Sequence, residues 1–405
     1  MANIIYISYD GLAEPLGQSQ IIPYLRKLSM NNRIHIITFE KPTDIIESTK
    51  MISLKAQLEN IGIGWTSLRY HKRPSVLATL FDILQGVIAI IKVSKLMKIE
   101  IVHVRSYLPA FMALLVKRLT GAKLLFDIRG FWADERVDGG IWQRDGIVFK
   151  IVKYLERYLY RSADHIVTLT EASVSKIKSF GYWDGSLPEI TVIPTCVDID
   201  RFTPSKKLPS LNTFVFGYVG SFGTWYMLRE TMDLFTEILQ IRPEARMLIV
   251  NHNEHDVLQK FISQEKLPSD RIEIIKVSHE KVVTQIQRMD AASALIRPCF
   301  SKIASAPTKV GEYLSCGIPC VGNFGIGDME KILKNNETGV ILKSFEKTAL
   351  RKAAQEIVDL SMNSEVRTRC REIAVAHFSL SDGVQNYKSI YSNLISSNFE
   401  RVSKL

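Results

Sequence analysis

The stretch "SALIRPCFSKIASAPTKVGEYLSCGIPCVGN", Ser293 to Asn323, decides how this chain folds. Two short apolar runs, "SALIRP" and "IPCVGN", bracket a helical segment that opens at Ser305 and closes at Gly317. Ser305 can cap that helix and Pro307 suits its first turn. Gly317 suits the left-handed position past its end. Strand, helix and strand in this order build a parallel sheet. The helix also raises a question. Lys309 lies in its first turn, where the helix dipole disfavours a cation, and Glu312 follows on the same face. One reading is a solvated ion pair worth a few tenths of a kcal/mol. The other is a ligand site: an anionic group would meet both Lys309 and the free amides, and Glu312 could accept hydrogen bonds from two adjacent ribose hydroxyls.

The same alternation runs outward along the chain. The first half offers "NIIYISY", "RIHIITF", "IVHVRS", "KLLFDIR", "HIVTLT" and "ITVIPT" as strands; the second offers "FVFGYVG", "ARMLIVN", "IEIIKV", "SALIRP", "IPCVGN" and "GVILK". Near-continuous apolar strands separated by helices indicate parallel sheets covered on both faces. The series restarts near residue 212, after the proline-containing "PTCVDIDRFTPSKKLPSLNT". An α/β fold of two doubly wound domains is the simplest architecture: 1–200 first, a linker at 201–211, and 212–380 second. Ligands are then expected at carboxyl ends of strands, between the domains.

At 405 residues the chain is too long for one ordinary core. With 46% hydrophobic and 23% charged residues it has a soluble globular composition. The start, "MANIIYISYDG", lacks a basic region with a long apolar core, so no signal peptide is expected. No run of 18 uncharged apolar residues occurs, so no spanning helix is expected. The five cysteines match no metal or disulfide framework, which fits reduced thiols in the cytoplasm. Net charge is +10, densest from Lys55 to Arg118, where ten Lys/Arg face three acidic residues. Such a surface suits phosphates, nucleic acid or anionic lipid. Within it, Ser75 to Lys98 reads either as a crossover helix on the sheet or as a helix on a membrane interface. Asp82, Gln85, Lys92 and Lys95 form its polar stripe, and basic residues at 69–73 and 92–98 would face headgroups.

Three further stretches carry candidate chemistry. In "FGYVGSFGTWYMLRE" a strand runs into Gly220, Ser221, Phe222 and Gly223 before a helix, so the backbone could approach an anion. In "FDIRGFWADERVDGGIW" Asp127 and Arg129 end a strand, and Trp132 offers an aromatic face. In "DGLAEPLGQSQIIPYL" Asp10, Gly17 and Gln18 follow the first strand. His103 is a lone strand histidine. No zinc-peptidase, hydrolase or P-loop pattern is present, and no metal site is expected.

Together these residues resemble bacterial glycosyltransferases of the GT-B fold, in particular family 4 (glycosyl transferases group 1). The resemblance rests on the opening strand and glycine loop, "SADHIVTLTEAS", "VIPTCVDIDRFTP", "YVGSFG" and "PTKVGEYLSCGIPCV". It implies two Rossmann-like domains, the first binding acceptor and the second a nucleotide sugar, with a final helix at 381–405 crossing back to the first. It places the ribose on Glu312, the base by Val277 and Ser278, and the donor near Thr308. Where the family commonly has an Arg and a Lys for the diphosphate, this chain has Ser221 and Tyr226. Where the family commonly has a glutamate facing the sugar, it has Ala304. Lys309 is then the replacement cation, with the Gly220–Gly223 amides assisting and Arg297 as a lesser candidate. Asp127 and Arg129 occupy the usual acceptor-side histidine region. The implied activity is transfer from a UDP- or GDP-linked sugar, without a cofactor or metal, by a retaining course that needs no protein nucleophile. Inversion would need Asp127 or Asp10 as base. The acceptor side would include Asp10, Gly17, Gln18 and Trp132. The implied setting is surface polysaccharide assembly such as lipopolysaccharide. The enzyme would be cytoplasmic, with a lipid-linked or saccharide acceptor, peripheral contact with the anionic inner membrane face, and no nucleic acid. A 2-epimerase of the same fold and a degenerate sugar-nucleotide binder are the alternatives.

Overall fold

The computed structural model describes residues 1–46, 48–73, 75–205 and 213–402. The chain divides into two compact units: Met1–Ile193 with Leu380–Leu405, and Pro194–Ser379. The 206–211 part of the 201–211 linker lies outside the described residues.

The first unit begins β1 (Asn3–Ser8), α1 (Pro15–Gln20), α2 (Ile22–Leu28), β2 (Arg33–Glu40), α3 (Pro42–Ile46), α4 (Ser48–Asn60), β3 (Gly64–Arg69) and α5 (Ser75–Leu96). It continues β4 (Ile101–Arg105), α6 (Tyr107–Thr120), β5 (Lys123–Asp127), α7 (Trp132–Asp138), α8 (Ile147–Ser162), β6 (His165–Thr168), α9 (Glu171–Lys178) and β7 (Glu189–Val192). The seven strands form a parallel sheet in the order β3-β2-β1-β4-β5-β6-β7. β4 and β5 are buried throughout, as strands covered on both faces must be. Strand order reverses at β1, so right-handed crossovers set α1–α4 and α5–α8 on opposite faces. β3 was not legible as a strand: it is a half-exposed edge with a polar sequence, "GWTSLR".

The second unit runs β8 (Val215–Val219), α10 (Leu228–Ile241), β9 (Arg246–Val250), α11 (His255–Gln264), β10 (Ile272–Ile275), α12 (Val282–Ile286) and β11 (Ala291–Ser293). It closes with α13 (Thr308–Ser315), β12 (Cys320–Asn323), α14 (Met329–Leu333), β13 (Gly339–Leu342), α15 (Lys347–Met362) and α16 (Val366–Phe378). Its six-stranded parallel sheet has the order β10-β9-β8-β11-β12-β13. Apolar clusters cover both sheet faces, one around Tyr313, Leu314 and Phe378, the other around Phe216, Phe235 and Ile357. The last helix, α17 (Leu380–Val402), packs on α2 and β4 of the first unit.

Two readings of the opening stretch shift. β11 ends at Ser293, so "SALIRP" is mostly the chain leaving the strand; Asn323 holds it there by accepting from the Ile296 amide and donating to the Ile296 carbonyl. The helix opens at Thr308 rather than Ser305, because Ser305 and Pro307 are both extended and Ser305 closes a 3-10 turn, Phe300–Ala304. Gly317 does take the left-handed conformation, at φ 75°.

α5 departs from its reading more sharply. Asp82 does not join a solvated stripe: it is fully buried, accepting from the Tyr9 hydroxyl at 2.7 Å and from the His71 ring at 2.6 Å. Leu80 and Leu84 instead face solvent. α5 is long and apolar enough to cross a membrane by length and composition, contrary to expectation, yet part of it is buried in the unit.

Candidate functional site

Lys309 answers the question its position raised. It stands in the first turn of α13 and is only 6% exposed, so it is no solvated surface charge. Its Nζ has no hydrogen-bond partner. The ammonium lies 3.9 Å from the centre of the Tyr218 ring and 3.7 Å from that of Tyr226. Ring quadrupoles thus stand in for an anion. Burial holds its pKa well below the usual lysine range, with Glu312 and Glu254 pulling it back up. A buried amino group with unused donors suits an anionic ligand, whose charge would favour its ammonium form. Tyr226, at the position of the missing family lysine, forms one wall of its cage.

The loop after β8 lies beside it. Gly220 has φ 111°, a conformation that favours glycine, and it lies beside Lys309, whose Nζ would be 3.4 Å from a Cβ built there. Not every amide of Gly220–Gly223 is available. Those of Phe222 and Gly223 donate to the Glu254 carboxylate at 2.8 and 3.2 Å, and that of Gly220 donates to the Val250 carbonyl. Asn251, at the end of β9, fixes Glu254 at 2.7 Å and the Gly220 carbonyl at 3.0 Å. Burial would raise the Glu254 pKa, but the two amides and Asn251 prevail and lower it. Ser221 is exposed.

Glu312 lies one turn beyond Lys309 and is half-buried. Burial pushes its pKa up to about 7, against the pull of Lys309 and Arg201. Val277 and Ser278 follow β10; Val277 packs on the core and Ser278 is exposed. Arg297 is exposed and lies 5.0 Å from the Trp225 ring centre. Lys302, unmarked in the sequence reading, is buried with its Nζ 3.7 Å from the same ring. Ala304 is fully buried and offers a sugar nothing polar. Lys309, Glu312, Thr308 and the glycine loop are brought together at the carboxyl end of β8, where a parallel sheet places its ligands.

The first unit gathers a second polar cluster at the carboxyl ends of β1, β4 and β5. Gln20 accepts from Arg105 at 2.7 Å and Arg129 at 3.2 Å. Asp10 lies 3.7 Å from Arg105, with its side chain 47% exposed. Asp127 is buried, accepting from the Tyr387 hydroxyl of α17 at 3.0 Å and standing 3.6 Å from Arg129. Burial alone would raise its pKa, but Arg129, His103 and Arg105 lower it. His103 is held neutral by burial, its Nδ1 2.8 Å from the Tyr391 hydroxyl. Ser106 and Arg129 take positive φ, 72° and 54°, so the chain is strained as it leaves β4 and β5.

Other acceptor-side candidates have structural employment. Gly17 is buried, and a Cβ there would come within 2.4 Å of the Gly11 carbonyl. Gln18 donates to the Leu12 carbonyl at 2.8 Å. The buried Glu40 carboxylate accepts from the Leu12 and Ala13 amides at 2.7 and 3.2 Å, so this glycine loop also has an internal anion. Trp132 stacks on Tyr107 and meets Trp142 edge-on. Asn251, Glu254, Tyr218 and Tyr387 went unmarked in the sequence. The asparagines ending "ARMLIVN" and "IPCVGN" were the available signal, since a polar residue closing an apolar strand usually has a partner. Among the described residues, no group of three His, Cys, Asp or Glu side chains is placed to hold a metal.

No curated protein matches the sequence. A family model described as Glycosyltransferase Family 4 matches residues 21–201, and one described as Glycosyl transferases group 1 matches residues 200–376. Sucrose-phosphate synthase from Thermosynechococcus elongatus superposes with a TM-score of 0.73 at 15% identity, over 98% of this chain and 100% of that one. HepE from Anabaena, solved with UDP and glucose, has a TM-score of 0.66 at 14% identity, over 97% and 100%. The lipopolysaccharide outer core galactosyltransferase WaaB has a TM-score of 0.61 at 14% identity, over 96% and 99%. With two adjoining family models along its length and two parallel-sheet units of GT-B architecture, the chain is a glycosyltransferase of the family 4 kind, a transferase of the EC 2.4 class.

Proposed function

We propose that the enzyme takes its sugar from a UDP- or GDP-linked donor held by the second unit, and passes it to a lipid-linked or oligosaccharide acceptor. The setting we assign is surface polysaccharide assembly at the inner face of the cytoplasmic membrane. The observation that carries the donor site is Lys309: a buried amino group without a hydrogen-bond partner, beside Gly220 and one turn from Glu312. Glycosyl transfer builds negative charge on the departing diphosphate, and a preorganised cation placed there lowers the barrier most. Lys309 fills that role without a metal. Glu312 accepts the ribose hydroxyls, and Val277 and Ser278 flank the base. The course is retaining. Were a base required, Asp10 is the accessible carboxylate, whereas Asp127 is only 1% exposed.

The test is calorimetry of UDP and GDP against the wild type and Glu312→Ala. The variant should bind at least tenfold more weakly, as loss of a charged hydrogen-bonding partner costs about 1.5–3 kcal/mol. Equal affinity would remove Glu312 from the ribose. The pH dependence follows from burial. Only the ionised carboxylate accepts both hydroxyls, and its pKa in the free protein is about 7. Affinity should therefore fall as pH drops through about 7, with proton release on binding, and Glu312→Gln should flatten that limb. Failure of UDP, GDP and a panel of nucleotide sugars to raise the melting temperature would overturn the donor site.

A further inference from the structure

As folded, the second unit keeps Lys309 out of reach of any anion. Its amino group is shut off from water. The Tyr218 ring, the Tyr226 ring and the backbone at Gly220 close over it. A phosphate oxygen has to come within about 3 Å of that nitrogen to accept a hydrogen bond, so one of these covers must move. Two of them are fixed. Tyr218 belongs to β8 and is fully buried; its hydroxyl donates to the Ser221 carbonyl at 2.6 Å, and its ring stacks on Phe222 with centres 3.9 Å apart. Gly220 donates its amide to the Val250 carbonyl at 2.9 Å, and its carbonyl accepts from Asn251 at 3.0 Å. Turning either aside breaks hydrogen bonds at the end of the sheet.

Tyr226 is different. It stands between β8 and α10, half-buried, and its side chain makes no hydrogen bond among the described residues. The ring is held by contacts alone: the Lys309 amino group, the Tyr218 ring met edge-on at 6.3 Å between centres, and the apolar clusters beneath. Its main chain is pinned on either side. The Tyr226 amide donates to the Phe222 carbonyl at 3.1 Å, the Met227 amide to the Leu295 carbonyl at 3.2 Å, and the Arg297 amide to the Trp225 carbonyl at 2.8 Å. The ring can therefore turn about its Cα–Cβ bond, from one staggered rotamer to another, while the loop stays where it is. Turning away forfeits packing, so the covered arrangement is favoured until something repays the loss. A phosphate does: in a site screened from water it attracts an ammonium more strongly than an aromatic face can.

We infer that the Tyr226 ring is a side-chain lid on Lys309, which turns aside as the donor's diphosphate arrives and returns as the diphosphate leaves. The inference rests on the donor site proposed above. Lys309 can take an anion only while the lid is open, so the lid weakens every anion that uses this lysine by one common factor. The experiment is calorimetry of the full chain with UDP or GDP, whichever binds, and with inorganic pyrophosphate measured by displacement of that nucleotide. Tyr226→Ala should tighten the nucleotide and pyrophosphate by the same factor, about fivefold. Tyr226→Phe keeps the ring and should return both to the weaker affinities of the wild type. Adding Tyr226→Ala to Lys309→Met should change nothing, since the lid acts only through that lysine. Melting temperatures measured alongside identify any variant that has lost its fold, and Tyr226→Phe against wild type then carries the comparison. The lid alone is overturned if the nucleotide binds wild type and Tyr226→Ala weakens it or leaves it unchanged. It is overturned equally if the nucleotide gains and pyrophosphate does not, which would make Tyr226 a contact of the nucleoside, or if the gain survives in the Lys309→Met background. If neither UDP nor GDP binds the wild type, the donor site falls and the lid with it.

Discussion

On the proposed donor site, Lys309 sets stability against function. Its ammonium is taken from water and given two tyrosine rings but no hydrogen-bond acceptor, so the empty protein holds it at a cost. Methionine has similar length and no charge. Lys309→Met should therefore raise unfolding free energy by about 1 kcal/mol and the melting temperature by a few degrees. Turnover should fall by about a hundredfold or more, the usual loss when a charge-stabilising donor is removed. Calorimetric melting and initial rates with the same preparation check both halves. A less stable Lys309→Met with unimpaired turnover would make Lys309 a packing residue.

At the scale of elements, the motif was legible and its surroundings were not. Glu312 and Lys309 could be singled out because helix caps and the (i, i+3) spacing are local. The amides of Phe222 and Gly223 could not be assigned, because the carboxylate that takes them arrives from α11's start, 31 or 32 residues away. The parallel sheets were readable from apolar runs, while the polar edge β3 was invisible to the same rule. Asp82 misled the reading of α5, because its partners Tyr9 and His71 lie on other elements. Glu254→Ala should expose what its carboxylate does. The part-buried Phe222 amide and the exposed Gly223 amide lose their acceptor, costing about 1 kcal/mol in urea unfolding. The Glu254 pKa is lowered in the fold, so its contribution exists above the unfolded carboxylate's pKa and is lost as pH falls through the lowered one. The difference between wild type and variant should thus shrink in acid; a constant difference would refute the carboxylate's role.

Across the whole molecule, the chain leaves the first unit at Ile193 and returns to it at Leu380. α17 closes that unit with polar contacts as well as apolar ones: Tyr387 donates to Asp127, and the Tyr391 hydroxyl meets His103. Tyr387→Phe leaves the buried carboxylate short of a partner and should cost about 1–3 kcal/mol, while the UDP binding proposed for the second unit should stay unchanged. Urea unfolding and calorimetry on one sample separate the two outcomes, and an intact stability would place the weight of α17 in its apolar packing. Both units also share a device. Each closes the loop after its first strand on an internal carboxylate, Glu40 for Leu12 and Ala13, Glu254 for Phe222 and Gly223. On the proposed donor site, this arrangement would make the second unit selective about which anions reach those amides. Stray inorganic phosphate finds those amides taken and must displace a tethered competitor to reach them. The diphosphate of the proposed donor, anchored by its nucleoside at one end, would arrive at high local concentration and could make that exchange, or leave Glu254 in place and use Lys309 alone.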